Sequence, residues 1–360
     1  MFNTSDDEVM LAVALGIPLY ACDPALSDWG SKSGSRRAFA EAGIAFPVGR
    51  EDLPDLDALA EAIADLLDRP SRPRRLVVKI NEGFSGDGNA VIDVADLGSC
   101  PDARQVRERL PAVLRYEAAG MDFIAYQRLF VRHGGIVEYW LDGRNKRTPS
   151  VQLRINPLGE VELISSHDQI MAGPNGQVFQ GSTFPADECY ARALHEPALR
   201  VGEVLRRHGV LGRFSVDFVS VLGDDGWDHQ AIEINLRKGG TTMPYQMLQF
   251  LTNGRYDPGL GLFLTPVGQV RHYYATDNLV DPLYRRLIPD ELIDILVARR
   301  LHFDETRQQG VVFNLIGALS EFGKLGLVCI GDSPATARRL FEDSVATLTE
   351  EAQADRRVDR

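Results

Sequence analysis

The sequence predicts an α+β fold, in which hairpins of paired strands accompany amphipathic helices. Two segments, Arg74–Val94 and Ser215–Leu236, predict hairpins because each has two apolar stretches separated by a glycine-containing turn. Leu56–Leu67 predicts a helix, since apolar residues recur at positions 56, 59, 60, 63, 66 and 67 and so form one helical face. A chain of 360 residues is long enough for two or three subdomains with substantial cores.

The remaining elements follow the same two periodicities along the chain. Met10–Tyr20 is apolar and predicts the end of a helix followed by a short strand. Further helices are expected at Ser31–Glu41, Val106–Ala119, Ala198–His208 and Pro289–Arg300, with a last helix that Ser333 caps and Pro334 begins. Further strands are expected at Phe123–Phe130, Gly135–Leu141, Ser150–Ile155, Glu160–Ser165, Val311–Ile316 and Leu325–Ile330.

Composition and charge argue against several classes of protein. The formal net charge of −12 argues against nonspecific nucleic-acid binding, which needs a basic face for the phosphates. Cys22, Cys100, Cys189 and Cys329 lie far apart and lack metal-site spacing, so we expect reduced thiols, no zinc and a cytoplasmic protein. No apolar run approaches the roughly 20 residues of a membrane-spanning helix, and the acidic N-terminus lacks the form of a signal peptide.

The second predicted hairpin carries the clearest functional signal, because its polar residues fall on one face. Side chains alternate between the two faces of a strand, so Glu233 and Asn235 share a face. A turn at Asp225–Gly226 brings Asp217 close to them across the ladder. Carboxylate and amide oxygens on a rigid support suit Mg²⁺, which also takes phosphate oxygens as ligands. We therefore expect a magnesium site at Asp217, Glu233 and Asn235.

The residues beside this polar face complete the interpretation. Ile232, Ile234 and Leu236 are expected to point the other way, into a core. Arg237 and Lys238 follow directly, and such cations suit phosphate groups. The same pattern is also typical of an ordinary amphipathic hairpin with a solvated polar face, and the hairpin alone does not decide between the two.

The glycine-rich loop of the first predicted hairpin is a second candidate site. The loop follows Lys79 and contains Gly83, Ser85, Gly86 and Gly88. Glycines let backbone N–H groups approach an anion closely. The loop is not a P-loop, because the lysine precedes the glycines, and it is not a dinucleotide-binding turn, because no helix follows. A flexible turn without a ligand is the alternative.

The order of these motifs resembles the ATP-grasp superfamily. The order is Gly30-Ser31-Lys32 before a helix, the run AGIAFPVG at 42–49, VVK before the glycine-rich loop, Asp217, and Glu-x-Asn-x-Arg at 233–237. The biotin-carboxylase-like branch shares motifs of this kind, and the chain is more similar to the pheganomycin-type peptide ligase group. Stretches with this second resemblance include GGIVEYWL, EINLRKGGTTMP and GVVFNLIGALSEFGKLGLVCIGDSP, and they span residues 30–334.

The resemblance implies an ATP-grasp fold, in which two α+β subdomains clasp ATP. It implies an ATP-grasp domain at 31–260, a C-terminal α+β subdomain at 261–352 and a tail at 353–360. Residues 1–30 would be a remnant of the α/β domain that precedes the ATP-grasp domain in such enzymes. Because this remnant is apolar, we expect a shortened N-terminus that promotes aggregation or is buried in a homo-oligomer.

The resemblance also assigns residues to the nucleotide. Lys32 and Lys79 match the two nucleotide-binding lysines, and the Gly83–Gly88 loop would close over the phosphates. Gln127 falls where the adenine-binding hinge is expected, on a predicted strand. Glu138 would bind the ribose hydroxyls, unless it is a strand carboxylate that faces solvent. For both lysines the alternative is an ordinary surface position.

The implied reaction is the ATP-dependent joining of a small-molecule carboxylate to an amine, each from an amino acid or peptide. The carboxylate would attack the γ-phosphate to form an acyl phosphate, and the amine would then displace phosphate. Mg²⁺ at Asp217, Glu233 and Asn235 would neutralise charge, while Arg237 would stabilise the transferred phosphoryl group.

Other polar residues are weaker candidates for substrate contacts. His167 is a candidate for contact with substrate or phosphate, although a lone histidine is as typical of a structural position. Lys238, Arg154 and Gln180 are candidates of the same kind. Met243 replaces a histidine that similar sequences have before this proline, and methionine cannot donate a hydrogen bond.

Two alternatives to a carboxylate–amine ligase stay open at this point. One is an ATP-grasp enzyme with another acceptor, of a carboxylase-like or phosphotransfer kind, although no lysine carrier motif for biotin is present. The other is a noncatalytic nucleotide-binding protein, which Gln127 and Met243 leave open. Amine-dependent release of phosphate from ATP separates these interpretations.

Overall fold

The computed structural model describes residues 1, 3–83, 86, 88–99, 101–143 and 145–354. Its α-helices are α1 (Asp6–Leu15), α2 (Lys32–Ala42), α3 (Leu56–Leu67), α4 (Ala103–Val113), α5 (Phe123–His133), α6 (His195–Arg207), α7 (Thr242–Thr252), α8 (Pro289–Ala298), α9 (Leu319–Phe322) and α10 (Pro334–Ala354). Its strands are β1 (Gly49–Leu53), β2 (Arg75–Ile80), β3 (Asn89–Asp93), β4 (Arg115–Tyr116), β5 (Gly135–Tyr139), β6 (Lys146–Arg147), β7 (Pro149–Ile155), β8 (Val161–Ala172), β9 (Val178–Phe184), β10 (Gly212–Gly223), β11 (Gly226–Asn235), β12 (Arg255–Asp257), β13 (Leu262–Leu264), β14 (His272–Val280), β15 (Gly310–Asn314) and β16 (Lys324–Gly331).

The small sheet is antiparallel and has five strands in the order β1-β5-β2-β3-β4. α3 packs with α4, and its predicted apolar face is buried in the core beneath this sheet through Leu59, Ile63 and Leu66. Asp55 caps α3 by accepting hydrogen bonds from two backbone N–H groups of the first turn, at 3.0 and 2.9 Å. Full burial of each such leucine or isoleucine stabilises the fold by roughly 1.5–3 kcal/mol.

The large sheet has nine antiparallel strands in the order β11-β10-β7-β8-β9-β14-β16-β15, with β6 beside β10. α2 packs against α6 and β11, and α6 packs against β7. Phe39, Leu205 and Phe214 belong to the core between these elements. α10 packs against β14 and β16. The strands β14, β15 and β16, which come from the segment predicted as a C-terminal α+β subdomain, thus continue the large sheet, and the predicted domain division stays a prediction.

The predicted strand Phe123–Phe130 is wrong, because this segment is the helix α5. Tyr126 and Phe130 are four residues apart, so both fall on the helix face that is fully buried in the core. Asp122 caps the helix by accepting a hydrogen bond from the Ala125 backbone N–H at 2.8 Å. Apolar residues over eight positions fit either periodicity, and the preceding aspartate is the signal that identifies the helix.

Most other predicted elements are confirmed within a few residues, although β8 extends to Ala172 and the helix predicted over Val106–Ala119 ends at Val113. α1 ends at Leu15, and no strand forms among residues 17–20. Four large apolar side chains of α1 are exposed, namely Met10, Leu11, Val13 and Leu15, and Val13 is 77% accessible. No helix in the described ranges is long and apolar enough to cross a membrane.

Three of the four cysteines lie within the described residues. Cys22, Cys189 and Cys329 are free cysteines, and Cys22 and Cys329 are buried. Cys100 lies outside the described residues.

Candidate active site

A cleft of about 410 Å³ lies between the small sheet and the large sheet. β2 and β5 form one side, which we call the small-sheet wall, and β8, β10 and β11 form the opposite side, the large-sheet wall. Residues of β14 and β16 line its far end. A cavity of this size between two sheets suits a small-molecule ligand.

The three predicted metal ligands meet in this cleft, on the hairpin β10–β11. Asp217 pairs with Glu233 across the ladder, and Ser215 pairs with Asn235. Asn235 Nδ2 donates a hydrogen bond to Asp217 Oδ2 at 2.9 Å, and Ser150 Oγ donates one to Asp217 Oδ1 at 2.6 Å. The predicted arrangement on one face is confirmed, whereas metal binding stays a prediction.

The hairpin differs from the prediction in two details. Its turn residues are Asp224 and Asp225, so the turn begins one residue earlier than predicted. The register shifts after Asp217, which marks a bulge in the pairing. Ile232 therefore lines the cleft instead of packing into the core, whereas Ile234 is fully buried as predicted.

The two carboxylates of the hairpin have different electrostatic surroundings. Burial, together with the neighbouring Glu233 carboxylate, raises the pKa of Asp217 to about 6. Burial acts in the same direction on Glu233, but the Lys32, Lys79 and Arg237 charges outweigh it and lower the pKa of Glu233. The repulsion between the two carboxylates therefore appears in the raised pKa of Asp217, and a bound cation would offset this repulsion.

Lys32 reaches the site through an ion pair. It is the first residue of α2, which Ser31 caps by accepting a hydrogen bond from the Gly34 backbone N–H at 2.9 Å. Its Nζ lies 2.5 Å from Glu233 Oε1, and the side chain is buried. Lys32 is not among the residues that line the cleft, so it orients a predicted metal ligand, and direct contact with a nucleotide stays a prediction.

Lys79 and Glu138 form a buried network on the small-sheet wall. They project from the neighbouring strands β2 and β5 onto the same face. Lys79 Nζ lies 2.7 Å from Glu138 Oε1, and Arg36 Nη1 donates a hydrogen bond to Glu138 Oε2 at 2.8 Å. Glu138 is only 1% exposed, which excludes the solvent-facing alternative. Arg36 was not predicted, because no local pattern in α2 indicates that its guanidinium reaches Glu138 on the small sheet.

The glycine-rich loop lies at the mouth of the cleft through Gly86, which lines it. Gly86 has a φ of +85°, and a β-carbon there would lie 2.8 Å from the carbonyl oxygen of Gln177. Only glycine combines this backbone conformation with such a close approach. Gly83 and Gly88 lie against each other, since a β-carbon on Gly83 would lie 3.3 Å from the Gly88 nitrogen. Ser85, a predicted phosphate-binding residue, lies outside the described residues.

A buried carboxylate connects this loop to the large sheet. Glu117 is 3% exposed and accepts hydrogen bonds from Asn175 Nδ2 at 2.8 Å and from the Gln177 backbone N–H at 3.3 Å. Gln177 Oε1 in turn accepts a hydrogen bond from Asn89 Nδ2 at 2.8 Å. The β8–β9 turn is thereby held against the end of the glycine-rich loop.

The proposed catalytic contact of His167 is wrong, because this residue lies in an aromatic core. Its side chain is fully buried, and Nε2 lies 3.2 Å from the Tyr273 hydroxyl. Phe184 and Tyr245 pack around the ring. Burial lowers the pKa of His167 to about 3, so the ring is neutral at physiological pH and has no access to the cleft.

Gln127 and Lys238 also lie away from the cleft. Gln127 is on α5 and not on a strand, so the hinge interpretation of this residue is wrong. Lys238 Nζ lies 5.2 Å from the centre of the Tyr20 ring and faces the N-terminal segment, although Arg237 next to it lines the cleft. The weaker candidates Arg154, Gln180 and Met243 are likewise absent from the cleft lining.

Several cleft residues were not predicted. Trp140 and Lys146 line the cleft beyond β5, with Lys146 Nζ 4.2 Å from the centre of the indole ring. Burial, with the Lys79 and Arg75 charges, lowers the pKa of Lys146 to about 8. Trp140 and Lys146 are close in sequence to Glu138 and its predicted strand, and this closeness could have identified them as cleft residues. Asp277, Asn278 and Lys324 line the far end, and no short motif in the sequence marks them.

Two antiparallel sheets around a polar cleft agree with the architecture of the ATP-grasp fold, and solved structures of that fold superpose on this chain. A biotin carboxylase–βγ-ATP complex from Campylobacter jejuni superposes with a TM-score of 0.59 at 13% identity, covering 92% of this chain and 70% of that chain. N5-carboxyaminoimidazole synthetase from Staphylococcus aureus, complexed with ADP, gives 0.56 at 12% identity, covering 97% and 79%. At these identities the likeness establishes the fold alone.

The sequence comparisons narrow the family. The family described as IQCH-like, ATP-grasp matches residues 24–122 and 121–259, and the chain belongs to this family. Residues 291–343 match the PGM1 C-terminal domain. The predicted ATP-grasp superfamily and fold are thereby confirmed.

Two curated relatives extend along most of the chain. An L-propargylglycine–L-glutamate ligase of Streptantibioticus cattleyicolor is 32% identical over 327 residues, which cover 89% of this chain and 64% of the relative. The IQ motif-containing protein H of Danio rerio is 25% identical over 98% of this chain and 36% of the relative. The chain therefore spans about a third of one relative and under two thirds of the other.

Proposed function

We propose that this protein is an ATP-dependent ligase that joins a carboxylate to an amine through an acyl phosphate. The observation that carries the proposal is the composition of the cleft, where Lys79 and Glu138 on one wall accompany Asp217, Glu233 and Asn235 on the other. The name of the 32% identical relative, a ligase of two amino acids, supports this reaction class. We infer from it that the substrates here are also amino acids or short peptides.

The nucleotide would lie along the small-sheet wall. Val77, Trp140 and Leu141 give this part of the cleft an apolar surface on which a base could pack. Lys79 and Lys146 supply positive charge close by, since the charge of Lys79 contributes to the lowered pKa of Lys146. The backbone of the glycine-rich loop supplies N–H groups for the phosphates.

Mg²⁺ fits the residues on the large-sheet wall. The raised pKa of Asp217 reflects a buried carboxylate beside a second one, which a divalent cation would stabilise. No group of three histidine, cysteine, aspartate or glutamate side chains able to hold a metal occurs in the described part of the chain. Asp217, Glu233 and the Asn235 amide would therefore hold the ion together with phosphate oxygens, as is usual for Mg²⁺. When bound, the ion would neutralise charge on the phosphates.

The reaction has two steps. An oxygen of the substrate carboxylate attacks the γ-phosphorus, and ADP leaves with the electron pair of the broken P–O bond. The nitrogen of the amine then attacks the acyl carbon, and inorganic phosphate leaves with the C–O electron pair. Arg237, which lines the cleft directly after Asn235, would stabilise the charge that develops on the acyl and phosphoryl oxygens. No nucleophilic side chain of the protein takes part.

The test is phosphate release from MgATP by the full chain, measured over all pairs of the twenty L-amino acids and a set of dipeptides. We expect release that requires both an acid and an amine, with the amide product identified by mass spectrometry. An acid labelled with ¹⁸O in its carboxylate should transfer one ¹⁸O atom to the released phosphate. Release that needs bicarbonate instead of an amine, or ATP binding without any release, would overturn the ligase proposal.

A further inference from the structure

The far end of the cleft holds two opposite charges, Asp277 and Lys324, to which the proposed nucleotide chemistry assigns no role. Asp277 and Asn278 come from β14, and Lys324 is the first residue of β16. Across the described part of the chain, neither Asp277 nor Lys324 forms a salt bridge. This contrasts with Lys32 and Lys79, each of which pairs with a buried glutamate.

A bulge places the two β14 residues in the cleft. Thr276 pairs with Leu327 and Leu279 pairs with Leu325, so two residues of β14 lie opposite Gly326 alone. A bulge of this kind redirects side chains and is common beside active sites. Asp277 and Asn278 are the two residues it redirects.

Hydrogen bonds fix the bulge in place. The Thr276 hydroxyl donates to the Gln180 carbonyl oxygen at 2.5 Å and accepts from the Asn278 backbone N–H at 3.0 Å. Asn278 Nδ2 donates to Gln180 Oε1 at 3.1 Å, which leaves the Oδ1 of this cleft-lining residue as an acceptor. These contacts come from β9, so the neighbouring strand holds the bulge residues before any ligand binds.

This end of the cleft adjoins the predicted reaction centre. The chain runs from Asn235 through Arg237 to Gly240, and all three line the cleft. A β-carbon at Gly240 would lie 3.5 Å from Asp277 Oδ2 and 2.6 Å from Phe179 Cε1. Glycine at this position therefore allows the backbone to pass close to the Asp277 carboxylate.

We propose that Asp277, Asn278 and Lys324 form the subsite for the amine substrate, and that this substrate is an α-amino acid. Lys324 binds its α-carboxylate, while Asp277 and the Asn278 amide oxygen hold its α-amino group. The bound ammonium group first gives one proton to the Asp277 carboxylate, which frees the nitrogen lone pair. As this lone pair forms the C–N bond and phosphate leaves with the C–O electron pair, the second N–H proton passes to the departing phosphate. The subsite rests on the proposed ligase function and adds to it the identity of the amine.

The charges of the subsite agree with this role. Burial raises the pKa of Asp277, and the positive charge of Lys324 acts against that increase. An ammonium group beside Asp277 and a carboxylate beside Lys324 would replace the solvation that both side chains lose in the cleft. An amine without a carboxylate would leave Lys324 without its partner, so it should bind less well.

The first experiment compares each L-amino acid with the amine that lacks its carboxyl group. The pairs are L-alanine with ethylamine, L-leucine with 3-methylbutylamine and L-phenylalanine with 2-phenylethylamine, each used with the acid found in the phosphate-release screen. We expect the wild type to prefer the amino acid at least ten-fold in kcat/KM. Lys324→Met should remove most of that preference by raising KM, whereas Arg339→Met, which removes an exposed cation on α10, should leave it unchanged.

The second experiment separates the two half-reactions by adding hydroxylamine, a neutral nucleophile that traps an acyl phosphate as a hydroxamate. Asp277→Asn should retain hydroxamate formation from acid and MgATP but lose amide formation at least ten-fold. Asp343→Asn, an exposed carboxylate change on α10, should retain both.

The outcomes distinguish the subsite from the ligase function itself. Equal use of amino acids and decarboxylated amines, or an unchanged preference in Lys324→Met, would overturn the subsite while the ligase function stands. Equal loss of hydroxamate and amide in Asp277→Asn would also overturn the assigned role of Asp277. If wild type forms neither hydroxamate nor amide with any acid, the proposed function fails and the subsite fails with it.

Discussion

The two walls of the cleft differ in how they balance buried charge. On the small-sheet wall, the Glu138 carboxylate contacts both Lys79 and Arg36, at 2.7 and 2.8 Å. On the large-sheet wall, Asp217 and Glu233 lie opposite each other in the ladder, and Lys32 contacts Glu233 at 2.5 Å. Among the described residues, Asp217 accepts hydrogen bonds but forms no salt bridge.

The difference indicates which wall depends on a ligand. A buried carboxylate with two cationic partners is stable by itself, and removing a partner is costly. A buried carboxylate beside a second carboxylate is strained when ionised, and a cation relieves that strain. We therefore expect substitution of Asp217 to affect mainly activity, whereas substitution of an ion-paired residue such as Lys79 or Glu233 affects activity and stability together.

The largest expected effect is that of Asp217→Asn. The change should lower Mg²⁺-dependent turnover on the order of 10³-fold, because it removes charge that the transition state needs. In the folded wild type the pKa of Asp217 is raised to about 6. Ionisation of Asp217 therefore destabilises the wild type as the pH rises from the pKa of the unfolded state toward 6. The melting temperature of the metal-free variant at pH 7.5 should therefore equal or exceed that of the wild type.

Glu233→Gln provides the contrast for this first prediction. It should cost similar activity but lower the melting temperature, because it leaves the buried Lys32 without its partner. The double variant should lose little more activity than either single variant, since the residues act as a unit. Losses that multiply as independent effects would contradict a shared metal site.

Lys79→Ala tests the small-sheet wall and should have the second largest effect. We expect kcat/KM for ATP to fall about 10²-fold, because a charge next to the phosphates is lost. Glu138 keeps Arg36, so the free energy of unfolding should fall by less than the roughly 3–5 kcal/mol that a carboxylate without any partner costs. Urea unfolding and steady-state kinetics measure the two effects, and full activity at limiting ATP would remove Lys79 from the site.

A smaller effect should appear as a pH dependence caused by Lys146. Its pKa is lowered to about 8, so the ammonium form that attracts phosphate is present below pH 8 and is lost as the pH rises above it. The value of kcat/KM for ATP reports groups of the free enzyme and should therefore fall above pH 8. Lys146→Arg, which stays charged, should remove this decrease, and an unchanged profile in that variant would exclude Lys146 as its cause.

Local patterns predicted the large-sheet wall more completely than the small-sheet wall. Strand alternation placed Glu233 and Asn235 on one face, and the hairpin turn placed Asp217 near them. Asp217 lies directly opposite Glu233 only because of the bulge, since the register that begins at Gly223 and Gly226 would otherwise place it opposite Ile232. Strand alternation could not predict the bulge that turns Ile232 toward the cleft, since a bulge depends on packing against neighbouring strands.

The parts that escaped prediction depend on contacts between distant segments. Arg36 and Glu138 are 102 positions apart and Lys32 and Glu233 are 201 apart, and no periodicity reports such pairs. Asp277, Asn278 and Lys324 come together only because β14 and β16 are neighbours in the large sheet. His167 was misassigned because a single histidine in a strand has no local signal for the face it takes.

The smallest effect is expected for Gln127→Glu. A hinge glutamine in contact with adenine would change ATP affinity when it becomes charged. Gln127 instead lies on α5, outside the cleft, so the dissociation constant for ATP should stay within about two-fold of the wild-type value, as is usual for surface changes. Isothermal titration calorimetry measures this constant, with the nearby surface change Arg128→Gln on the same helix as the control. A ten-fold change in Gln127→Glu alone would mean that α5 approaches the nucleotide when ATP binds, and it would make the small-sheet wall more mobile than its buried ion pairs imply.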